Sequence, residues 1–245
     1  MPNLNEITKE SIQTIIIDSN DFDVKKNNIE KIHQILKEDG SLFVIVENQY
    51  KNGILKPTTL ELAHMITSHK FFLRNSIVWF LPEDKLSQND LFVNRYKMIF
   101  HFTKNIDSYF FNKDPIREKH IWEKVEWGQR KKNYNPRGKD PGDVWLMTED
   151  DGNAKITKHI PLSKEDVILR FILLTTQKQD RIILLLNDKK CVRIREKNAR
   201  PVVAYQRKRR IPQGTLQVVR KNERSEKGKC SMRCDVSPLL GFEKL

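Results

Sequence analysis

The sequence of 245 residues is poor in residue types that define several common protein classes. It has three cysteines, too few for a disulfide framework, and Cys230 and Cys234 have no second close Cys/His pair downstream with which to bind zinc. No apolar run approaches the ~20 residues that a membrane-spanning helix needs. The N-terminus lacks a basic start followed by an apolar centre, so no signal peptide is visible. We expect an intracellular protein, in the cytoplasm of a prokaryote or in a nucleus or nucleoid.

Glycine is also scarce, with nine residues in the chain. There is no G-x-S-x-G nucleophile turn and no glycine-rich loop that could cradle a phosphate. Asp18, Asp21 and Asp23 could together bind the metal of a nuclease, but no matching set of carboxylates and lysine accompanies them. Because Asp, Asn and Ser commonly form turns, we interpret this stretch as a turn after a strand and expect no metal ion.

Positive charge, by contrast, is abundant and clustered. The formal net charge is +13 and the pI is about 9.6. Residues 113–139 contain nine Lys/Arg against four Asp/Glu, and residues 200–229 contain ten against two. Such clustering favours a surface that binds an acidic partner, most often nucleic acid, over an evenly charged coat.

Short apolar runs alternate with amphipathic segments, which is typical of an α/β fold. In the first hundred residues the last two strands are predicted to form an antiparallel hairpin, and residues 104–143 read as a basic, loop-rich insert. The predicted strands are residues 11–17, 41–47, 75–81, 96–103, 181–186, 191–194 and 215–219. The predicted helices are residues 28–37, 58–69 and 163–175, with a short one at 199–210 begun by Pro201.

Five segments, in this order, resemble the β-class DNA amino-methyltransferases, which methylate adenine N6 or cytosine N4. The most specific is residues 135–145, NPRGKDPGDVW, and the others are residues 35–44, 71–79, 94–104 and 159–176. The resemblance implies a Rossmann-like methyltransferase sheet with an antiparallel hairpin, in which the catalytic half precedes the target-recognition segment and the cofactor half comes last. It divides the chain into a methyltransferase-like domain, residues 1–211, with a recognition-type insert at residues 104–143, and a basic C-terminal tail, residues 212–245.

The family's catalytic turn, (D/N/S)PP(Y/F), is degenerate in this chain. In the family its first residue and a prolyl carbonyl hold the exocyclic amine of a flipped base, on which the aromatic residue stacks. The corresponding stretch reads Asp18-Ser19-Asn20-Asp21-Phe22, so both prolines are missing and Asp21 stands at the aromatic position. Asp18 could still accept a hydrogen bond, and a shifted backbone could bring Phe22 to the base. We expect no catalytic residue here.

The family's cofactor loop, DPFxGsGTT, is degenerate as well. Its glycines let the backbone approach S-adenosylmethionine (SAM) closely. Residues 180–190, which run from Asp180 past Asn187, contain no glycine, so the loop and its helix are interpreted as deleted. The next strand in the family ends in an acidic residue that holds the cofactor ribose, and Arg195 takes that place here. We therefore expect no cofactor site in this chain by itself.

The basic segments remain as candidate nucleic-acid contacts, because cations neutralise phosphates and aromatic rings can stack on bases. Trp79 and Trp145 are instead predicted to pack in the core. The run at residues 207–210 could equally be a solvated helix end. The candidate contacts are Arg130, Lys131, Lys132, Arg137, Lys139, Arg207, Lys208, Arg209 and Arg210.

Three functions fit these observations. The first is a catalytically inactive methyltransferase-like subunit, half of a heterodimer, which binds nucleic acid and pairs with an active methyltransferase that holds SAM. The second is an active but divergent SAM-dependent adenine-N6 or cytosine-N4 DNA methyltransferase. The third is a DNA-binding scaffold without a methyltransferase partner. SAM binding separates the second from the others, and co-purification with an intact methyltransferase separates the first from the third.

Overall fold

The structure is a computed structural model, which describes residues 4–81, 92, 94–118, 120, 135–150, 157–186, 202–206 and 217–218. The helices are α1 (Lys26–Ile35), α2 (Thr58–Thr67) and α3 (Lys164–Thr175). The strands are β1 (Ile12–Asp18), β2 (Leu36–Val46), β3 (Gln49–Lys51), β4 (Ile54–Lys56), β5 (Phe72–Phe80), β6 (Tyr96–Thr103), β7 (Val144–Trp145), β8 (Met147–Asp150), β9 (Thr157–Ile160), β10 (Ile182–Leu185), β11 (Val202–Gln206) and β12 (Gln217–Val218). No helix within these residues is long and apolar enough to cross a membrane.

Eight strands form one mixed sheet in the order β12-β11-β10-β1-β2-β6-β5-β7. Strands β11, β10, β1 and β2 pair in parallel, whereas β6 runs antiparallel to both β2 and β5. Strands β3 and β4 form a separate two-stranded hairpin, and β8 pairs with β9 in another. The predicted α/β sheet with an antiparallel hairpin is therefore confirmed.

Helices cover both faces of the sheet, which explains why its central strands are continuously apolar. Ile15 and Ile17 of β1 pack in the cluster that contains the buried residues of α1 and α2. Ile16, one position away, packs in the cluster that contains α3, because successive strand side chains point to opposite faces. Full burial of each such side chain contributes about 1.5–3 kcal/mol.

The α3 face holds a buried histidine. His101 of β6 is 0% exposed, stacks on Phe43 with ring centroids 4.5 Å apart, and shares a 3.0 Å hydrogen bond between its Nε2 and Ser41 Oγ. Desolvation, with the positive charge of Arg74, lowers the pKa of His101 to about 3. The ring is therefore neutral at physiological pH and behaves as a core side chain.

Several local predictions agree with the structure. Strand β6 has the predicted bounds. Helix α3 begins after Ser163 with a capping box: the Ser163 side chain accepts a hydrogen bond from the Asp166 backbone N–H, and the Asp166 carboxylate accepts one from the backbone N–H of Ser163. The predicted strand at 215–219 is present as the shorter β12.

Two predictions were wrong. Helix α1 ends at Ile35, and residues 36–40, predicted as the helix end and a break, already belong to β2. Residues 202–206, predicted within a short helix, form β11, which pairs with β10. β10 is buried and offers an open row of backbone hydrogen-bonding groups on that side, so pairing overrides the weak helix signal of Pro201. The predicted strand at 191–194 lies outside the described residues.

Candidate functional site

The degenerate turn and the end of β10 lie at the same edge of the sheet. Ile17 of β1 pairs in parallel with Leu185 of β10, and Leu185 pairs with Tyr205 of β11. Asp18, the last residue of β1, and Leu186, the residue after β10, therefore lie at the carboxyl edge, where open α/β sheets bind their ligands. This edge is the candidate functional site.

The central contact of the site is an ion pair between Asp18 and Lys164, the first residue of α3. Lys164 Nζ lies 2.5 Å from Asp18 Oδ2 and 3.4 Å from Asp21 Oδ2. The Asp18 side chain is 3% exposed, and its Oδ1 accepts a hydrogen bond from the backbone N–H of Asn20 at 3.1 Å. Both carboxylate oxygens of Asp18 are thus engaged within the chain.

Two opposing effects act on the ammonium group of Lys164. Desolvation alone would lower the pKa of Lys164, but the hydrogen bond and charge of Asp18, together with the charge of Asp21, outweigh it and raise that pKa above its usual value. The Lys164 ammonium group therefore stays protonated at neutral pH. A charge-assisted hydrogen bond of this kind is roughly twice as strong as a neutral one.

The rest of the turn directs its aromatic ring away from the site. The backbone N–H groups of Asp21 and Phe22 each donate to the Asp18 carbonyl at 3.0 Å, and the N–H of Ser19 donates to Ile45. Phe22 is 9% exposed and packs in the α1–α2 core cluster, whereas Lys164 approaches Asp18 from α3. The Asp21 side chain, at the family's aromatic position, faces the ammonium.

The carboxylates of this stretch all have cationic partners. Asp23 pairs with Lys25, with Nζ and Oδ2 2.6 Å apart, while Asp18 and Asp21 share Lys164. Within the described part of the chain, no group of three or more His, Cys, Asp or Glu residues is arranged to hold a metal ion.

Asp180, a position compared with the family's cofactor loop, lies at the other edge of the sheet. It precedes β10, its Oδ1 lies 2.9 Å from Lys37 Nζ, and its Oδ2 accepts a hydrogen bond from the Gln177 N–H at 2.7 Å. Both oxygens of the Asp180 carboxylate are therefore engaged within the chain, at the start of the strand. Asn187 and Arg195 lie outside the described residues.

Of the candidate nucleic-acid contacts, Arg137 and Lys139 are described, and both are exposed. Arg137 pairs with Asp114, which also accepts from Arg117 Nε at 2.9 Å. The hydrogen bond from Arg117, followed in size by the one from Arg137, lowers the pKa of Asp114. Lys139 is fixed through its backbone, which exchanges two hydrogen bonds with Glu118. Arg130, Lys131, Lys132 and residues 207–210 lie outside the described part of the chain.

The tryptophan prediction is confirmed for Trp79 and Trp145. They are 5% and 2% exposed, respectively. Trp79 Nε1 donates to the Leu162 carbonyl and Trp145 Nε1 to the Gly142 carbonyl, each at 3.0 Å. Both tryptophans are therefore core residues whose indole N–H groups are hydrogen-bonded.

Sequence reasoning missed Lys164. It reads as an ordinary polar residue in the first turn of α3, 146 residues from Asp18. The available signal was the positive charge of Lys164, because a cation in the first turn opposes the helix dipole and needs a compensating anion.

Comparison with known proteins identifies the family. A family model described as DNA methylase (N6_N4_Mtase) matches residues 16–184. The chain belongs to this family. It is 35% identical over 161 residues to the type II methyltransferase M.BglII of Bacillus subtilis, an alignment that covers 63% of this chain and 44% of the relative. The chain thus spans less than half the length of this curated methylase.

Solved methylase structures share the fold. PvuII DNA methyltransferase (cytosine-N4-specific) superposes with a TM-score of 0.59 at 14% identity, covering 83% of this chain and 77% of the other. A Thermus thermophilus protein assigned as a DNA modification methylase, solved with S-adenosyl-L-methionine, gives a TM-score of 0.52 at 10% identity and covers 82% of this chain and 83% of the other. The predicted family and its Rossmann-like methyltransferase fold are confirmed.

Proposed function

We propose that this chain is a catalytically inactive member of the DNA methylase family, a subunit that binds DNA and pairs with an active methyltransferase. The observation that carries the proposal is the ion pair between Lys164 and Asp18. In the family, the first residue of the turn accepts the exocyclic amine of the target base. A neutral base amine would have to displace an ammonium 2.5 Å from a buried carboxylate, which is unfavourable because the amine is the weaker donor.

Under this proposal the chain also lacks an aromatic residue that could stack on the target base. Asp21 stands where the family has its stacking residue, and Phe22 is committed to the core. Moving Phe22 to the edge would forfeit about 1.5–3 kcal/mol of burial. The turn therefore supports neither the hydrogen bond nor the stacking that hold a flipped base.

The contacts of the described residues at the carboxyl edge support a chain that does not itself hold SAM. Its sulfonium is positively charged, and the nearby carboxylates Asp18 and Asp21 already share the Lys164 ammonium. The absence of glycine in residues 180–190 also supports the proposal, because in the family the glycines of this loop let the backbone approach the cofactor closely. In this proposal SAM belongs to the partner subunit, and no step of methyl transfer takes place on this chain.

DNA binding is supported by charge. The net charge is +13, and Arg137 and Lys139 are exposed on the recognition-type insert. The Arg137–Asp114 pair is at the surface, where ion pairs contribute little, so the guanidinium can exchange to a phosphate at small cost. The basic residues 130–132 and 207–210, which lie outside the described part of the chain, are further proposed contacts on the ground of their charge alone. The proposed domains are residues 1–211, with the insert at 104–143, and the basic segment 212–245.

Calorimetric titration of the purified chain with SAM tests the proposal. We expect no binding heat at high protein and ligand concentrations and no transfer of labelled methyl groups to duplex DNA. One-to-one binding would contradict the proposal and favour a divergent but active enzyme that uses residues 18–22.

Co-expression with each intact methylase encoded in the same genome tests the pairing. A stable complex that binds SAM, in which this chain increases methylation of DNA, is the expected result. If every such methylase purifies without the chain while the chain alone still binds DNA, the scaffold interpretation replaces the subunit.

A further inference from the structure

A β-hairpin projects from the candidate site. Strands β3 and β4 are joined by Asn52 and Gly53, whose φ angles of 54° and 75° belong to the tight two-residue turn that Asn-Gly favours. Residues 49–57 are all exposed, and Ile54 near the tip is 71% exposed. An isolated two-stranded hairpin is marginally stable in water, so contacts at its base must hold it.

Two polar contacts fix the base of the hairpin. Asn48 Oδ1 accepts hydrogen bonds from the N–H and the hydroxyl of Thr59, at 3.1 and 2.9 Å, which ties the hairpin to α2. Gln49 Nε2 donates to Asn20 Oδ1 at 3.3 Å, and the backbone N–H of Asn20 donates to Asp18. The hairpin is therefore connected directly to the degenerate turn.

The strand register separates the hairpin into two faces. Gln49 pairs with Lys56 and Lys51 with Ile54, so these four side chains share one face, while the pair Tyr50 and Leu55 lies on the other. Because Gln49 reaches the turn, the face with the two lysines is the one that adjoins the candidate site. Residues 48–60 contain no Asp or Glu, so nothing within the segment neutralises these lysines.

We propose that this hairpin is a DNA-contacting ribbon, with Lys51 and Lys56 bound to backbone phosphates and Ile54 packed into the groove. The inference rests on the DNA binding in the proposed function. A two-stranded ribbon fits the major groove, lysines neutralise phosphates, and apolar side chains pack on sugars and bases. A protein-docking face fits less well, because two of its four side chains are lysines, which are depleted from the centres of protein interfaces.

Fluorescence anisotropy with a labelled DNA duplex tests the ribbon. The double variant Lys51→Gln/Lys56→Gln is compared with the unaltered chain between about 50 and 200 mM NaCl. We expect its affinity to fall by about 10-fold or more and the slope of log K against log salt to flatten by about 2, one unit for each lost phosphate contact. Ile54→Ser should weaken binding with the slope unchanged.

The matched control is Lys9→Gln/Lys178→Gln, which removes two exposed lysines that precede β1 and β10 at the opposite edge. It should retain most of the affinity. If the unaltered chain fails to bind DNA at low salt, the proposed function itself fails. If the chain binds DNA but the hairpin double variant binds as tightly as the control, the ribbon alone is refuted. A fall in the light-scattering mass of the DNA-free chain on Ile54→Ser would instead make the hairpin a contact between copies.

Discussion

Replacing Lys164 with methionine removes the positive charge from the candidate site and keeps most of the side chain's volume. The variant leaves the Asp18 carboxylate buried, with a side chain 3% exposed, and without its counter-ion. Breaking a buried pair from one side costs about 3–5 kcal/mol. Lys164 is itself 23% exposed, so water can partly replace it, and we expect a loss of about 2–3 kcal/mol in the free energy of unfolding. Chemical denaturation at pH 7 measures this loss.

A second Lys–Asp pair in the chain supplies the control. Lys37 and Asp180 lie 2.9 Å apart at the other edge, with side chains 36% and 18% exposed, and Lys37→Met should cost no more than about 1 kcal/mol. The double variant Lys164→Met/Asp18→Asn should recover much of the loss, because no buried charge remains. Coupled residues deviate from additivity by about 0.5–3 kcal/mol. The ion pair would be refuted if the loss in the double variant equalled the sum of the losses in the single variants Lys164→Met and Asp18→Asn.

The pH dependence of the same variant follows from the sign of the shift. The pKa of Lys164 is raised in the folded chain above the ordinary 10.5. The stability that the ammonium contributes is therefore fully present at neutral pH and up to about that ordinary value, and it is lost as the pH rises through the higher pKa of the folded chain. The difference between the unaltered chain and Lys164→Met should be constant from neutral pH to about 10 and shrink above it. A difference that vanishes already near pH 8 would contradict this assignment.

Three further predictions test other parts of the structure. Because the pKa of His101 is lowered in the folded chain, only the unfolded chain binds a proton at this residue between about pH 6 and 4. The free energy of unfolding should therefore fall by about 1.4 kcal/mol per pH unit in that range. Denaturation of His101→Phe should lack this pH dependence. Gly138→Ala should lower the thermal midpoint more than Gly53→Ala, because both glycines have positive φ but only at Gly138 would a Cβ meet backbone, the Glu118 carbonyl at 2.7 Å. Ser163→Ala should cost about 1 kcal/mol in denaturation, and Ser163→Asp, which can still cap, should cost less.

The parts of the fold that local sequence patterns describe were predictable. The triple isoleucine in β1, the alternation in β6 and the cap of α3 each identify their element from a few neighbouring residues. β11 was not, because its strand conformation depends on pairing with β10, some twenty residues earlier in the chain. The β3–β4 hairpin left a usable signal, the turn-forming dipeptide Asn52-Gly53 followed by Ile54 and Leu55, which sequence reasoning overlooked.

The candidate site divides in the same way. The turn at residues 18–22 could be located from the sequence because it directly follows a recognisable strand. Its partner could not, because Lys164 meets Asp18 only after α3 packs across the sheet. The direction of Phe22 was likewise undecided by sequence, since a turn without proline can place that ring on either side.

Lys164 and Asp18 each occupy a position that is unfavourable alone. A buried carboxylate without a counter-charge is strongly destabilising, and a cation in the first turn of a helix opposes the helix dipole. Placed 2.5 Å apart, the two compensate each other. If the chain is inactive as proposed, this one ion pair accounts both for the loss of base binding at Asp18 and for the stability of the sheet edge. The contact that withholds Asp18 from a base also preserves the sheet edge from which the hairpin projects.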